Sequence, residues 1–390
     1  MSAQARLPLE GIRVLDLSRL MAGNMLTSQL ADFGADVIKV ESEHGDTLRD
    51  WKNDGKALWW KAYSRNKRSI RLDLKNAGDI EKLLALLPSA QVLVESFKHR
   101  GLESYGLSPE ALHRANPALV IVRISGWGQT GPYAQRPGFG TLVEAFSGFA
   151  EKNGFPDKPP ALPNLGLADM IAGLSGAFAT LAAVREVEVN GGQGQVVDLS
   201  LLEPILGILG PDAGIFQHTG QLPRRLGNRA EVAAPRNAYA CSDGRWMVMS
   251  GSTQRMAARI LKAVGHEELI RDPRFADNAS RLANIDELDR VIGDFVGQHT
   301  LEENLAHFGA LDVTVGPVLN VDQLMQDPHV IARQVLLEVP DDELGSVTMH
   351  NVFPRLSRTP GTIRSQAPRL GEHQQLVETE QPTTTSRRQA

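Results

Sequence analysis

One acid stands at the head of an uncharged run. Gly166-Leu167-Ala168-Asp169 leads into Met170–Val184, a stretch without a charge in which small residues dominate. Such a stretch reads as a buried helix packed closely against its neighbours. Asp169 then has two chemical readings. As an N-cap it would accept N–H groups of the first turn, where Asp is among the preferred residues. As a carboxylate nucleophile it would sit at the edge of a dry pocket, solvated by free backbone N–H groups and favoured by the helix dipole. Basic residues cluster at Arg65-Asn66-Lys67-Arg68, at Lys75 and at Lys98-His99-Arg100. Such runs are either a solvated face or a grip for phosphates. The run Ser125-Gly126-Trp127-Gly128-Gln129-Thr130-Gly131-Pro132-Tyr133 interleaves glycine with aromatics, as a surface turn or a ligand-binding loop beyond a sheet edge would.

The surrounding pattern is that of an α/β protein. Strands are expected at Ile12–Leu17, Asp36–Glu41, Ser69–Leu74, Gln91–Glu95 and Leu119–Ile124, with helices at Ala22–Phe33, Ala77–Leu87 and Pro109–Ala115 between them. Gly34 suits a helix C-terminus. Alternation of this kind implies βαβ units and a parallel sheet. The first connection, Arg19-Leu20-Met21-Ala22-Gly23-Asn24, lacks G-x-G-x-x-G, which counts against a nicotinamide dehydrogenase. From about Arg224 the character changes. Asn237–Met249 reads as a hairpin about an Asp-Gly turn, followed by helices at Gln254–Val264, Ile285–Gln298 and Leu301–Phe308. This is a smaller α+β domain that the chain leaves through Val315-Gly316-Pro317-Val318.

The 390 residues suggest two domains, or one large domain with an insertion. With 42% hydrophobic and 22% charged residues a sizeable core is available. A net charge of -5 disfavours non-specific nucleic-acid binding. Cys241 is the sole cysteine, so no intrachain disulfide or cysteine–zinc cluster can form, and a reducing, cytoplasmic location is expected. Met1–Arg6 leads into no apolar segment, so no secretory leader is expected. The longest uncharged run falls short of the roughly 18–20 residues of a membrane span, and no membrane partner is expected. No histidine spacing suggests a metal site.

Together the segments resemble the class III CoA-transferase family, which includes formyl-CoA transferase and carnitine-CoA transferase. The resemblance runs from Pro8 to about Val377. It rests on Leu9–Ser18, Gly34–Glu41, Asn66–Ile70, Ser125–Tyr133, Gly192–Asp198, Asp272–Phe275, Gly316–Val318 and Leu370–His373, in order and at the family's spacing. It implies that Asp169 is the catalytic aspartate, which attacks an acyl-CoA thioester to give an aspartyl mixed anhydride. It implies coenzyme A contacts at Met21, Ala22, Leu72, Lys75, Ser96, Phe97, Lys98 and Arg136. CoA is then a substrate, and no separate cofactor or metal is expected. The partners implied are an acyl-CoA and a carboxylic acid, by analogy a small dicarboxylate such as succinate.

The family's fold is a Rossmann-like large domain with a parallel sheet plus a smaller α+β domain, in an interlocked homodimer. On this chain it maps to a large domain at 1–205, a linker at 206–224, a small domain at 225–320, a return to the large domain at 321–380 and a disordered tail at 381–390. Ser42 and Ser104 stand where formyl-CoA transferase has arginines, so Lys98 or Arg100 must help grip the phosphates. Phe139-Gly140 replaces an aromatic–acid pair found in many members. A racemase on the same scaffold would need a histidine where Phe139 stands, and phenylalanine exchanges no proton. The rival of another class is a non-enzymatic CoA-binding protein.

Overall fold

The computed structural model describes residues 6–379; the tail expectation for 381–390 and the first five residues lie outside them. Six strands, β1 (Arg13–Asp16), β2 (Asp36–Glu41), β3 (Lys67–Arg71), β4 (Val92–Glu95), β5 (Val120–Ser125) and β6 (Val196–Ser200), form one parallel sheet in the order β3-β2-β1-β4-β5-β6. Strand residues alternate between two buried faces. Val14, Val37, Val92 and Val120 face one core, and Leu15, Ile38, Leu93 and Ile121 the other. Burial on both faces is why these strands read as nearly continuous apolar runs. β3 begins two residues earlier than its apolar pattern predicts, because Lys67 is a buried member of the strand. β6 is a strand that periodicity alone does not mark, since only its last two residues are buried.

The first helix (Leu20–Asp32) and a long helix (Leu167–Asn190) cover the first core. Helices Ala77–Leu86 and Pro109–Ala115 cover the second. The small residues of the long helix serve its approach to the first. A Cβ on Gly173 would lie 2.6 Å from Met25 Cβ and 2.8 Å from the Ala22 carbonyl, and one on Gly176 would lie 2.6 Å from Leu26 Cδ1. Contrary to the buried-helix expectation, the helix keeps an exposed apolar stripe. Leu174, Phe178 and Leu181 recur at helical spacing, and Phe178 is 75% exposed. At 24 residues this helix is long and apolar enough to cross a membrane by those two criteria alone, and its inner face packs on the first helix and on Leu199 of β6.

The chain divides into two compact units, Met1–Phe149 with Leu162–Pro211 and Arg333–Ala390, and Ala150–Ala161 with Asp212–Ala332. In the second, β7 (Arg236–Ala240), β8 (Trp246–Ser250) and β9 (Val315–Pro317) form an antiparallel sheet. Its core includes Met247, Met249, Ile260, Leu288 and Phe308, the last three from helices Gln254–Ala263, Ile285–Val296 and Leu301–Ala310. The domain boundaries differ from the sequence reading. Val315–Pro317 is the third strand rather than an exit, and the chain stays in this unit through Ala332. Ala150–Ala161 also belongs here, interrupting the 1–205 segment: the Gly227 N–H donates to the Gly154 carbonyl and Arg225 pairs with Glu151. The 206–224 segment, read as a linker, carries helix Asp212–Thr219.

Candidate active site at the head of the long helix

Asp169 is not an N-cap. The helix begins one turn earlier than its uncharged run, with Gly166 at the N-cap making no side-chain bond and Asp169 inside the first turn. The carboxylate is half-buried. Two glycines clear the space around it: a Cβ on Gly140 would lie 2.1 Å from Asp169 Oδ2, and one on Gly166 would lie 3.4 Å from the same atom. The backbone N–H of Ala22, in the first turn of the first helix, donates to it. Burial first, and the neighbouring Glu144 carboxylate second, push Asp169 up to about 6, against the opposing pull of the Ala22 N–H and its own. Glu144 lies on a bridging helix (Gly140–Phe146) and is 2% exposed. Its Oε1 accepts the Ala168 N–H at 3.0 Å.

The turn that delivers Ala22 is held from below. Leu20 has φ 63°, a left-handed conformation that a leucine adopts only where its surroundings impose it. Its N–H donates to Asp46 Oδ1 at 3.0 Å, and Asn24 Nδ2 donates to Asp46 Oδ2 at 2.8 Å. Lys39 Nζ lies 2.9 Å from Asp46 and 3.3 Å from Asp16, and Lys67 Nζ donates to Asn24 Oδ1 at 2.9 Å. All these side chains are buried. Here the structure departs from both readings of the Arg65–Arg68 run. Lys67 is enclosed in this network, Arg65 pairs with Asp32 at 2.7 Å and Arg68 pairs with Asp36. All three cations are paired: Lys67 and Arg65 with buried aspartates, where breaking the pair is strongly destabilising, and Arg68 with the partly exposed Asp36.

The strand order reverses between β1 and β4, and ligands of open α/β sheets bind outside the carboxyl ends of the strands at such a point. A cavity of about 350 Å³ lies there, lined among others by Arg19, Ser42, Asp46, Leu72, Lys75 and Phe97. Three of the sequence-predicted residues are therefore at this wall or rim. Leu72 is buried in it, Lys75 is exposed beside it, and Phe97 closes it against Tyr105 at 5.8 Å. Ser96 Oγ accepts the Arg19 N–H at 2.9 Å, and Lys98 is exposed just beyond. Arg19 was missed, although it abuts Ala22. Arg19, which lines the cavity, stands three residues before Ala22, whose N–H reaches Asp169. Met21, also predicted, is 1% exposed in a buried cluster with Leu48 and Trp60, and does not line the cavity. Arg100 caps a short helix with φ 57°, and Ser104 Oγ donates back to the Gly101 carbonyl at 2.6 Å.

Arg136 lies on the glycine-rich loop that precedes the bridging helix. The glycine-rich loop closes on itself where Gly126 meets Gly138, a Cβ on either lying within 2.8 Å of the other's backbone. Trp127, Tyr133 and Phe146 pack edge to face at 5.1–5.7 Å, and the Arg136 guanidinium stacks 3.7 Å over Tyr133. This loop leads directly into Phe139, which is 62% exposed, and Gly140. Among the described residues no group of three or more His, Cys, Asp or Glu is arranged to share a metal ion. Glu144 was also missed; its only sequence signal is being the lone acid of Leu142–Phe146.

A family model described as CoA-transferase family III matches residues 9–374. The chain is 37% identical over 377 residues to a succinyl-CoA–D-citramalate CoA-transferase of Chloroflexus aurantiacus, covering 96% of this chain and 94% of that one. It is 33% identical over 381 residues to a succinate–glutarate CoA-transferase of Agrobacterium fabrum, covering 95% and 94%. Its fold matches the crystal structure of a CaiB/BaiF family protein from Brucella suis with a TM-score of 0.85 at 31% identity, covering 96% of this chain and all of that one.

Proposed function

The chain belongs to CoA-transferase family III, and we propose that Asp169 is its nucleophile, passing CoA between two carboxylic acids. The observation that carries this is the state of that carboxylate: half-buried, cleared by two glycines, met by the Ala22 N–H, and of raised basicity. Desolvation and proximity are what a weak nucleophile needs.

A carboxylate oxygen of Asp169 adds to the thioester carbonyl. The C–S bond breaks and CoA leaves as thiolate, giving an acyl–aspartyl anhydride. The thiolate then adds to the aspartyl carbonyl and expels the first acid as carboxylate, leaving an aspartyl–CoA thioester. The incoming carboxylate repeats these steps in reverse, so that CoA ends on the new acid and Asp169 is restored. A thiolate leaves without a general acid, so Asp169 needs no proton donor beside it. The Ala22 N–H, aimed at Asp169, is placed to meet an oxyanion forming there. In this reading CoA occupies the cavity, with Lys75, Lys98 and Arg19 near its phosphates, and the acid lies toward Phe139 and Arg136. Relatives named for succinyl-CoA and for citramalate or glutarate support a succinyl-type donor and a small dicarboxylate acceptor. The exposed stripe Leu174–Phe178–Leu181 supports burial against a second copy, as an interlocked homodimer would provide.

A panel of acyl-CoA donors and carboxylic acids, read by mass spectrometry, tests the function. Hydroxylamine trapping of protein incubated with donor should mark the peptide that contains Asp169. Exchange without any modification of that peptide would overturn the mechanism.

A further inference from the structure

We propose that Glu144 is a positioning residue for Asp169: it caps the long helix from a neighbouring helix, freeing the Asp169 carboxylate to point into the space left by Gly140 and Gly166. This rests on the reading of Asp169 as nucleophile. A helix start leaves N–H groups that must find partners. Gly166 has no side chain to offer, and an acid in the first turn is well placed to reach back for them, as in a capping box. In this helix Glu144 takes the Ala168 N–H at 3.0 Å instead.

A glutamine could accept the same bond, so the negative charge of Glu144 is a separate feature. The residue is 2% exposed, and its carboxylate accepts the Ala168 N–H. Its field falls on Asp169 and favours the protonated form, which makes the ionised form a stronger base. The other charges on elements packed against the long helix are engaged: Glu203 accepts the Ser200 hydroxyl, Asp198 accepts the Gln129 N–H and Arg123 pairs with Glu95. On the first helix, Arg19 at its start lies 6.0 Å over Phe97, and Asp32 at its far end pairs with Arg65. Asp46 and Lys39 pair with each other beneath it. The bridging helix carries Glu144 alone. On the long helix Arg185, Glu186 and Glu188 begin sixteen residues on, about 24 Å away. Arg136, on the loop before the bridging helix, stacks on Tyr133.

The test compares Glu144→Gln, which keeps the acceptor and loses the charge, with Glu144→Ala, which loses both. Hydroxylamine-trapped adduct at Asp169 and steady-state exchange are followed from pH 5 to 8, with melting curves. Glu144→Gln should melt like the wild type, move the acid limb of kcat/KM down by at least about half a pH unit and form adduct several-fold more slowly at pH 8. Glu144→Ala should lose about tenfold or more in kcat while KM for acyl-CoA stays within about twofold. Full kcat in Glu144→Ala would overturn the positioning role, and an unmoved acid limb in Glu144→Gln would overturn the effect of its charge on Asp169. A wild-type protein that never forms the Asp169 adduct would instead remove the nucleophile reading beneath it, and the two failures are read from different proteins.

Discussion

Replacing the proposed nucleophile should make the protein more stable, and the gain should depend on pH. Asp169 ionises at about 6 in the folded chain against 3.8 for an ordinary aspartate. A raised folded value means that folding favours the protonated acid. Below about pH 4 the residue is protonated in both states and no penalty exists; the penalty grows between 4 and 6 and is complete above 6. Roughly two pKa units correspond to about 3 kcal/mol. Asparagine has nearly the same shape and no charge, so Asp169→Asn escapes the penalty at every pH. Scanning calorimetry should find the variant and the wild type within about a degree at pH 4, and the variant several degrees higher at pH 8. Exchange should be abolished, because an amide cannot form the anhydride, provided that deamidation back to Asp is excluded by mass. A melting difference that does not change with pH, or an Asp169→Asn protein less stable at pH 8, would show that the carboxylate is not desolvated and would refute the argument.

Gly140→Ala places a methyl 2.1 Å from Asp169 Oδ2; the short side chain can swing aside, so the melting temperature should hardly move while kcat falls about tenfold or more, and an unchanged kcat would deny that this space is used. Lys75→Ala should raise KM for acyl-CoA by about tenfold, the loss of one charge-assisted hydrogen bond, and leave KM for the acid acceptor alone; equal weakening of both would remove Lys75 from the CoA site. An interlocked dimer should bury far more than the standard interface of about 1,600 Å², so dilution to low nanomolar concentration should yield no folded monomer; a reversible monomer–dimer equilibrium at micromolar concentration in the ultracentrifuge would refute the interlocking.

What the sequence determined by itself was what local chemistry encodes. Short apolar runs marked β1, β2, β4 and β5, because both their faces are buried, and helical spacing marked the first helix, because its periodicity is set by which neighbours in the chain share a face. The small residues after Asp169 announced a close helix contact, which Gly173 and Gly176 make with Met25 and Leu26. The order of short motifs identified the family. The tertiary structure decided what depends on residues distant in sequence. Arg65 and Lys67 read as surface cations, yet Asp32 and Asp16 pair with them across the sheet edge, and no spacing reveals such a partner. β6 stayed hidden because its first three residues are not buried, so its pairing with β5 and not its apolar pattern makes it a strand. Asp169 is the clearest case. Taken alone it read more readily as a cap than as a nucleophile, and the Ala168 N–H is instead taken by Glu144, 24 residues before Ala168 in the chain. A helix start accepts a partner from any element that can reach it, so only the packing of the bridging helix decided that Glu144 takes the Ala168 N–H while Asp169 meets the Ala22 N–H and its own.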